Sequence, residues 1–367
     1  MEILGNLIDK KNEKAFVGTL PYIEIGDIDV SSKKYSHKNK GAVAGAILVL
    51  KGDILVSRVR PTRGAITIVS DETASASNAF VRLRVNNKIN YKYLYYVLNR
   101  KEFFSYLGTK ETGVTYPSCT AADVYTYKIN VPSLGQQIEV VRHLDDIYMA
   151  IENRKFQIQD FDKLINSKYV DMFGKIEHYV PLSTYIKSLS AGKSLAGESK
   201  CKNKVLKTGS VSYDKFDSSE IKNLPINYEP IQDHLVKKGD VIISRMNTLE
   251  LVGAAGYVWA VPENVYLPDR LWRAELKSGV NPIFIWQTLI QGDLKRQIRE
   301  RASGTSGTMK NLSKGTLLEI TTKQVDTESQ NEFSKFVENI NQLKNNLQHD
   351  IYDLESLLRT KMHEYFD

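Results

Sequence analysis

Lys51-Gly-Asp-Ile-Leu-Val-Ser-Arg58 returns later in the chain as Lys238-Gly-Asp-Val-Ile-Ile-Ser-Arg245, with Lys-Gly-Asp and Ser-Arg held at one offset of 187 residues. Each copy runs into a glycine-bearing turn and a second apolar segment, Gly64-Ala-Ile-Thr-Ile-Val69 and Gly253-Ala-Ala-Gly-Tyr-Val258. Two apolar runs flanking a polar, glycine-bearing turn encode a β-hairpin, so the chain specifies one hairpin twice. A single continuous core does not follow from such a pattern; two bodies of like fold do.

A long helical stretch follows each body, opening at Leu134-Gly-Gln-Gln137 and at Glu328-Ser-Gln330. In the first, Leu144, Ile151, Ile158, Ile165 and Met172 recur every seven positions; in the second, Phe333, Ile340, Leu347 and Leu354 do the same. Sustained heptads without an internal proline predict coiled-coil seams, and Gly174 stands where the first helix should stop. Each seam needs a partner, most economically the other one, packed antiparallel; another chain or the bodies themselves are the alternatives. The reading is therefore α+β: two mostly-β domains in tandem repeat, at 1–132 and 175–325, separated by a long antiparallel two-helix coiled coil built from 133–174 and 326–367. Candidate strands include Tyr22–Ile25, Ala46–Leu50, Asp53–Ser57, Ile66–Val69, Phe80–Val85, Asp240–Ser244 and Tyr257–Val261, and one helix is expected in each body, over Tyr91–Leu107 and Pro282–Arg301.

The 367 residues are 42% hydrophobic, enough for a core in each body. Residues 1–132 hold nineteen basic against twelve acidic side chains and residues 175–325 twenty-two against fifteen, so each body is +7, while the helices are −2 and −5. Two equally basic bodies suit a bipartite reader of a polyanion, because neutralising phosphates and releasing counterions drives much of nucleic-acid affinity; lysine-rich surfaces also serve plain solubility. No apolar run is long enough to span a bilayer, and Met1-Glu-Ile-Leu-Gly-Asn6 lacks a signal-peptide pattern, so a cytoplasmic location is expected. Cys119 and Cys201 have no metal-ligand spacing and are expected to be reduced, with no metal bound.

The first hairpin tip, Arg58-Val-Arg-Pro-Thr-Arg-Gly64, offers Arg58, Arg60, Thr62 and Arg63, arginine being suited to a bidentate grip on guanine or phosphate. The second tip keeps Arg245 and adds Asn247, which suits adenine edges, and Thr248. A glycine- and hydroxyl-rich loop also recurs before each long helix, carrying Lys110, Thr115 and Tyr116 in the first half and Thr305, Ser306 and Lys310 in the second; such a loop can wrap a phosphate or simply be a loop. These residues are the candidate DNA contacts, and Leu144, Ile151, Ile158, Ile165, Phe333, Ile340, Leu347 and Leu354 the candidate coiled-coil and partner interface.

Catalytic signatures fall short. Asn281-Pro-Ile-Phe284 resembles an amino-methyltransferase tetrad without its second proline or a cofactor fingerprint, and better reads as a helix start. Gly192-Lys-Ser194 lacks the earlier glycine of a phosphate-binding loop. No catalytic residues are assigned.

The repeated order of these motifs resembles the specificity subunit of Type I restriction-modification systems. The resemblance spans essentially the whole chain: two target-recognition domains carrying the Gly-Asp-Ile-Leu-x-Ser-Arg element, each followed by a conserved-region helix. Pro132, Leu134, Gln136 and Gln137 fit the family's usual helix start, whereas Val325-Asp-Thr-Glu-Ser-Gln330 lacks the proline and leucine. The resemblance implies a non-catalytic subunit that binds double-stranded DNA, each domain reading half of a split target, with the helices setting the gap. It implies two methylation subunits as partners, carrying S-adenosylmethionine for adenine-N6 methylation, and optional restriction subunits using ATP and Mg; this chain itself binds no cofactor. The alternatives are the equivalent subunit of a related Type II system with a fused methylation and cleavage partner, or a coiled-coil interaction scaffold.

Overall fold

The computed structural model describes residues 1–15, 20–36, 43–304 and 309–367. It divides into two compact units, Met1–Lys155 with His349–Asp367, and Phe156–Gln348. Each unit combines one mostly-β body with stretches of both long helices.

The repeated Lys-Gly-Asp is a turn with a shared construction. Gly52 and Gly239 take φ of +88° and +97°, a left-handed backbone that favours glycine. The following aspartate then folds back: Asp53 Oδ2 accepts from the Leu50 amide and Asp240 Oδ2 from the Lys237 amide, each at 2.8 Å. The strands Ile54–Ser57 and Val241–Ser244 leave this turn and are buried along their full length. Both faces are covered, which is why their sequences are continuously apolar rather than alternating. Ile54 and Val56 face a core shared with helical residues such as Leu94 and Phe103, while Leu55 enters a second core with Val49, Ala74 and Phe80. In the second unit Val241 and Ile243 join Phe284 and Leu294 on one side, and Ile242 joins Leu206, Val265 and Leu271 on the other.

Topology repeats as faithfully as sequence. A four-stranded sheet in the first unit runs in the order Ile8–Asp9, Phe80–Val85, Ile54–Ser57, Ile66–Ile68, and its counterpart in the second runs Ile186–Ser190, Leu271–Leu276, Val241–Ser244, Ala255–Tyr257. Each unit adds a three-stranded sheet containing one parallel pair, Tyr22–Ile23 with Thr73–Ala76, and Lys204–Leu206 with Val265–Tyr266.

Three expectations need correction. The single helix expected over Tyr91–Leu107 is two, Tyr91–Leu98 and Lys101–Gly108, broken where the Asn99 carboxamide donates back to the Tyr95 carbonyl and Arg100 turns extended. The helix expected over Pro282–Arg301 is likewise split into Pro282–Leu289 and Gly292–Arg301, with Gln291 extended between them. The strand expected from Tyr257 to Val261 is Ala255–Tyr257, because Trp259 leaves the sheet to pack edge-on against Trp286. Asn281 caps its helix by accepting from the Ile283 and Phe284 amides, with Pro282 in the first turn.

The long helices span Leu134–Phe173 and Thr327–Phe366. Within the first unit His143 meets Tyr365 and Arg154 meets Asp350; within the second, Asp162 meets Lys344 and Phe173 packs edge-on against Phe333. Rising numbers on one helix meet falling numbers on the other, so the pairing is antiparallel in each unit. Of the seam residues, Leu144, Ile151, Ile165, Phe333 and Ile340 are buried, whereas Ile158, Leu347 and Leu354 are half-buried. Leu144, Ile165, Phe333 and Ile340 sit in the cores of the bodies as well as against the other helix.

A glutamine fastens each long helix to its body. Gln137 is wholly buried; its Oε1 accepts from the Asn90 amide at 2.8 Å, and its Nε2 donates to the carbonyls of Pro132 and Lys88 at 2.8 and 3.3 Å. Gln330 repeats the arrangement, accepting from the Asn281 amide and donating to the Val325 carbonyl.

Candidate nucleic-acid interface

The Ser-Arg that ends each copy of the repeat turns the chain out of the sheet and onto a second loop. In the first unit the Arg58 amide bonds to the Ala79 carbonyl, and the Arg58 carbonyl accepts from Cys119. In the second the Arg245 amide bonds to Arg270 and the Arg245 carbonyl accepts from Leu312. The hairpin tip and the loop preceding the long helix are thereby stitched into one surface in each unit. Val59 bridges Ser118 in the first, and Met246 and Asn247 pair with Asn311 and Lys310 in the second.

The loops are pinned at their bases. Thr112 and Ser118 exchange both backbone hydrogen bonds at 2.9 Å, so residues 113–117 form a short finger on which Val114 is fully exposed and Tyr116 is 67% exposed. Ser303 and Asn311 exchange the same pair of bonds in the second unit. Across the first surface, the Arg60 guanidinium lies 4.8 Å from the centre of the Tyr116 ring, within cation–π range, and its Nη2 donates to the Thr115 carbonyl at 3.3 Å. Thr62 donates through its hydroxyl and its amide to Glu111, tying the tip to the finger's base.

A lysine secures each tip from behind. Lys33 donates to the carbonyl of Gly64 at 2.7 Å, and Lys295 to the carbonyl of Gly253 at 3.2 Å; Lys295 is also ion-paired with Asp214. Burial holds both amines below their usual lysine pKa, against the opposing pull of Asp29 and Asp214. These glycines close the two hairpin tips, so the same backbone atom is gripped from unrelated parts of the chain.

The profile of the family described as Type I restriction modification DNA specificity domain matches residues 1–160. The chain is similar to that family over its first 160 residues. Its fold is similar to that of the Type I restriction-modification S subunit from M. genitalium, with a TM-score of 0.59 at 16% identity, covering 100% of this chain and 95% of that one. It is equally similar, at a TM-score of 0.59 and 16% identity, to a chain from a structure described as the basis of complex assembly and conformational transition of the type I R-M system, covering 99% and 96%. No curated protein sequence matches it.

The residues chosen from the sequence are distributed as follows. Arg58, Arg60, Thr62, Arg63, Thr115 and Tyr116 come together on the first surface, with Lys110 beside them over the Tyr106 ring. Arg63, Lys110 and Thr115 are exposed, but Arg58 is half-buried and donates to the Asn78 carbonyl at 2.8 Å. Arg245, Asn247, Thr248 and Lys310 come together on the second, where the Arg245 guanidinium lies 5.7 Å from the centre of the Trp272 ring. Thr305 and Ser306 lie outside the described residues. Sequence reasoning missed Glu111, Lys33 and Lys295, whose roles come from contacts between distant segments. Among the described residues no cluster of three or more His, Cys, Asp or Glu could hold a metal, and no helix is long and apolar enough to cross a membrane.

Proposed function

We propose that this chain is the DNA sequence-specificity subunit of a Type I restriction-modification complex, without catalysis of its own. Each body reads one half of a split duplex target through the surface formed by its hairpin tip and the loop that precedes its long helix. The observation that carries this reading is the repeated scaffold with unlike tips: equivalent turns and strands, with loops pinned at equivalent positions, present Arg60 in one unit and Asn247 in the other. A repeat that preserves its frame while changing its rim suits two different half-targets.

The paired helices would set the unread gap and dock two methylation subunits, which supply S-adenosylmethionine and methylate adenine at N6; restriction subunits, where present, would bring ATP and Mg. Two features support paired docking. Leu164 and Leu357 occupy equivalent helix positions, 193 residues apart, and are 45% and 43% exposed. Each unit also has a cavity between a body loop and the helices, of about 430 Å³ beside Asp162 and Lys344 and about 550 Å³ beside Glu355 and Ile151. These positions too are related by 193 residues. Two like sites on one chain suit two copies of one partner.

Lengthening both helices by four residues tests the reading. It adds about 6 Å, on the order of two base pairs, and the gap in the methylated sequence should widen accordingly. An unchanged gap contradicts the ruler. A complex that lacks methyltransferase partners and shows no DNA sequence preference favours an interaction scaffold instead.

A further inference from the structure

We propose that the third residue after the repeated serine is the base-reading position of each body, with Arg60 engaging a guanine in one half-target and Asn247 an adenine in the other. The assignment rests on the DNA-reading function proposed above and separates base contacts from phosphate contacts within it.

Arg60 and Asn247 are equivalent by sequence, at the same offset of 187 residues that relates the two repeats. They are equivalent by structure as well. The Arg60 amide donates to the Pro117 carbonyl at 2.7 Å, and Asn247 pairs with Lys310, so each backbone is fixed to the segment that precedes the long helix. Arg58 and Arg245, two residues earlier, are the same in both copies, and each is half-buried and stacked or bonded within its own unit. A residue shared by both copies cannot tell two half-targets apart; the position where the chemistry changes can.

Both side chains are held in advance of any ligand. Arg60 is a non-glycine residue at φ +48°, a conformation that costs free energy and persists only when its surroundings impose it. Tyr116 supports its guanidinium plane and the Thr115 carbonyl takes one N–H, which leaves a flat fork with donors uncommitted among the described residues. Such a fork matches the O6 and N7 acceptors of guanine. The Asn247 Oδ1 accepts from the Thr248 amide at 2.9 Å, which fixes the carboxamide plane. Its Nδ2 has no partner among the described residues, and a carboxamide with a donor and a remaining lone pair matches N7 and N6 of adenine. Arg63 and Lys110, exposed beside the fork, are left for phosphates, which position the protein without reading sequence.

The full chain, copurified with its methyltransferase partners, is used to select from a random duplex library, comparing wild type with Arg60→Asn and Asn247→Ala. Asparagine tolerates the left-handed backbone at position 60, and thermal melting of each variant checks that the fold is retained. The wild type should select a split sequence with a guanine in one half and an adenine in the other. Arg60→Asn should lower discrimination at that guanine alone by roughly 5- to 150-fold, and Asn247→Ala at that adenine alone by a similar factor. A split sequence retained unaltered by both folded variants, or affinity lowered equally for every sequence, overturns the base-reading assignment and leaves the function standing. A wild type that selects nothing overturns the DNA-reading function and the assignment with it.

Discussion

Gln137→Ala probes how firmly the first long helix is joined to its body. The wild-type carboxamide is wholly buried and satisfies one amide, of Asn90, and two carbonyls, of Pro132 and Lys88. Truncation leaves the Asn90 N–H without a partner in a dry site, at a cost of about 1–3 kcal/mol. The two carbonyls lose one donor each and a small void opens, bringing the expected loss to about 2–4 kcal/mol. Asn90 also caps the helix that begins at Tyr91, so its loosening should spread to that first turn. Hydrogen exchange followed by mass spectrometry over residues 86–98 is the direct assay, because unfolding of a two-unit chain need not be two-state. A loss of 2–4 kcal/mol raises the opened population by roughly 30- to 1,000-fold, and exchange there should quicken by that factor while residues 281–289 stay protected. Gln330→Ala should reverse the pattern. Unchanged exchange around Asn90 in Gln137→Ala would refute the clamp.

Three further outcomes follow from the geometry. Burial disfavours ionised Asp162, but the charges and hydrogen bonds of Lys344 and Lys215 prevail and hold its pKa below the ordinary 3.8. Its contribution is therefore fully present above that value and lost as pH falls through the folded pKa; Asp162→Asn should be less stable than wild type at neutral pH, with the difference closing in strong acid, as read by denaturant melts across pH. Gly239→Ala should cost about 1–2 kcal/mol of backbone strain alone, since a Cβ there meets nothing within 4 Å, whereas Gly253→Ala should cost more because its Cβ would come within 2.6 Å of Ile298; equal melting losses would contradict this. Lys110→Ala should weaken duplex binding evenly across sequences and lower the log–log salt slope by about one, and a sequence-selective loss would move Lys110 from phosphate to base contact.

The hairpins and rods were legible because their signals are local and repeated. Lys-Gly-Asp needs a left-handed glycine and an aspartate that caps the turn, and a heptad declares its own buried stripe. The breaks at Asn99 and Gln291 were not legible, since neither site has a proline and an asparagine bonding its own helix leaves little pattern. Seam residues proved uneven: Ile158, Leu347 and Leu354 are half-buried where Leu144 and Phe333 are sealed, because only some turns of each rod lie against a body as well as the other helix. At the candidate interface the arginine-rich tip and the hydroxyl-rich loop could be read from composition, and the structure joins them into one surface in each unit. What the sequence hid was how the surface is braced. Lys33 reaches Gly64 across 31 positions and Lys295 reaches Gly253 across 42, and no periodicity links such pairs.

Mapping N6-methylated adenines in the DNA of cells that express this chain together with the methylation subunits proposed as its partners tests the central claim most directly. Two-part reading by one chain predicts a single split sequence whose two specified halves are always separated by the same number of unspecified base pairs. Methylation confined to one uninterrupted sequence, or scattered without sequence preference, would contradict it.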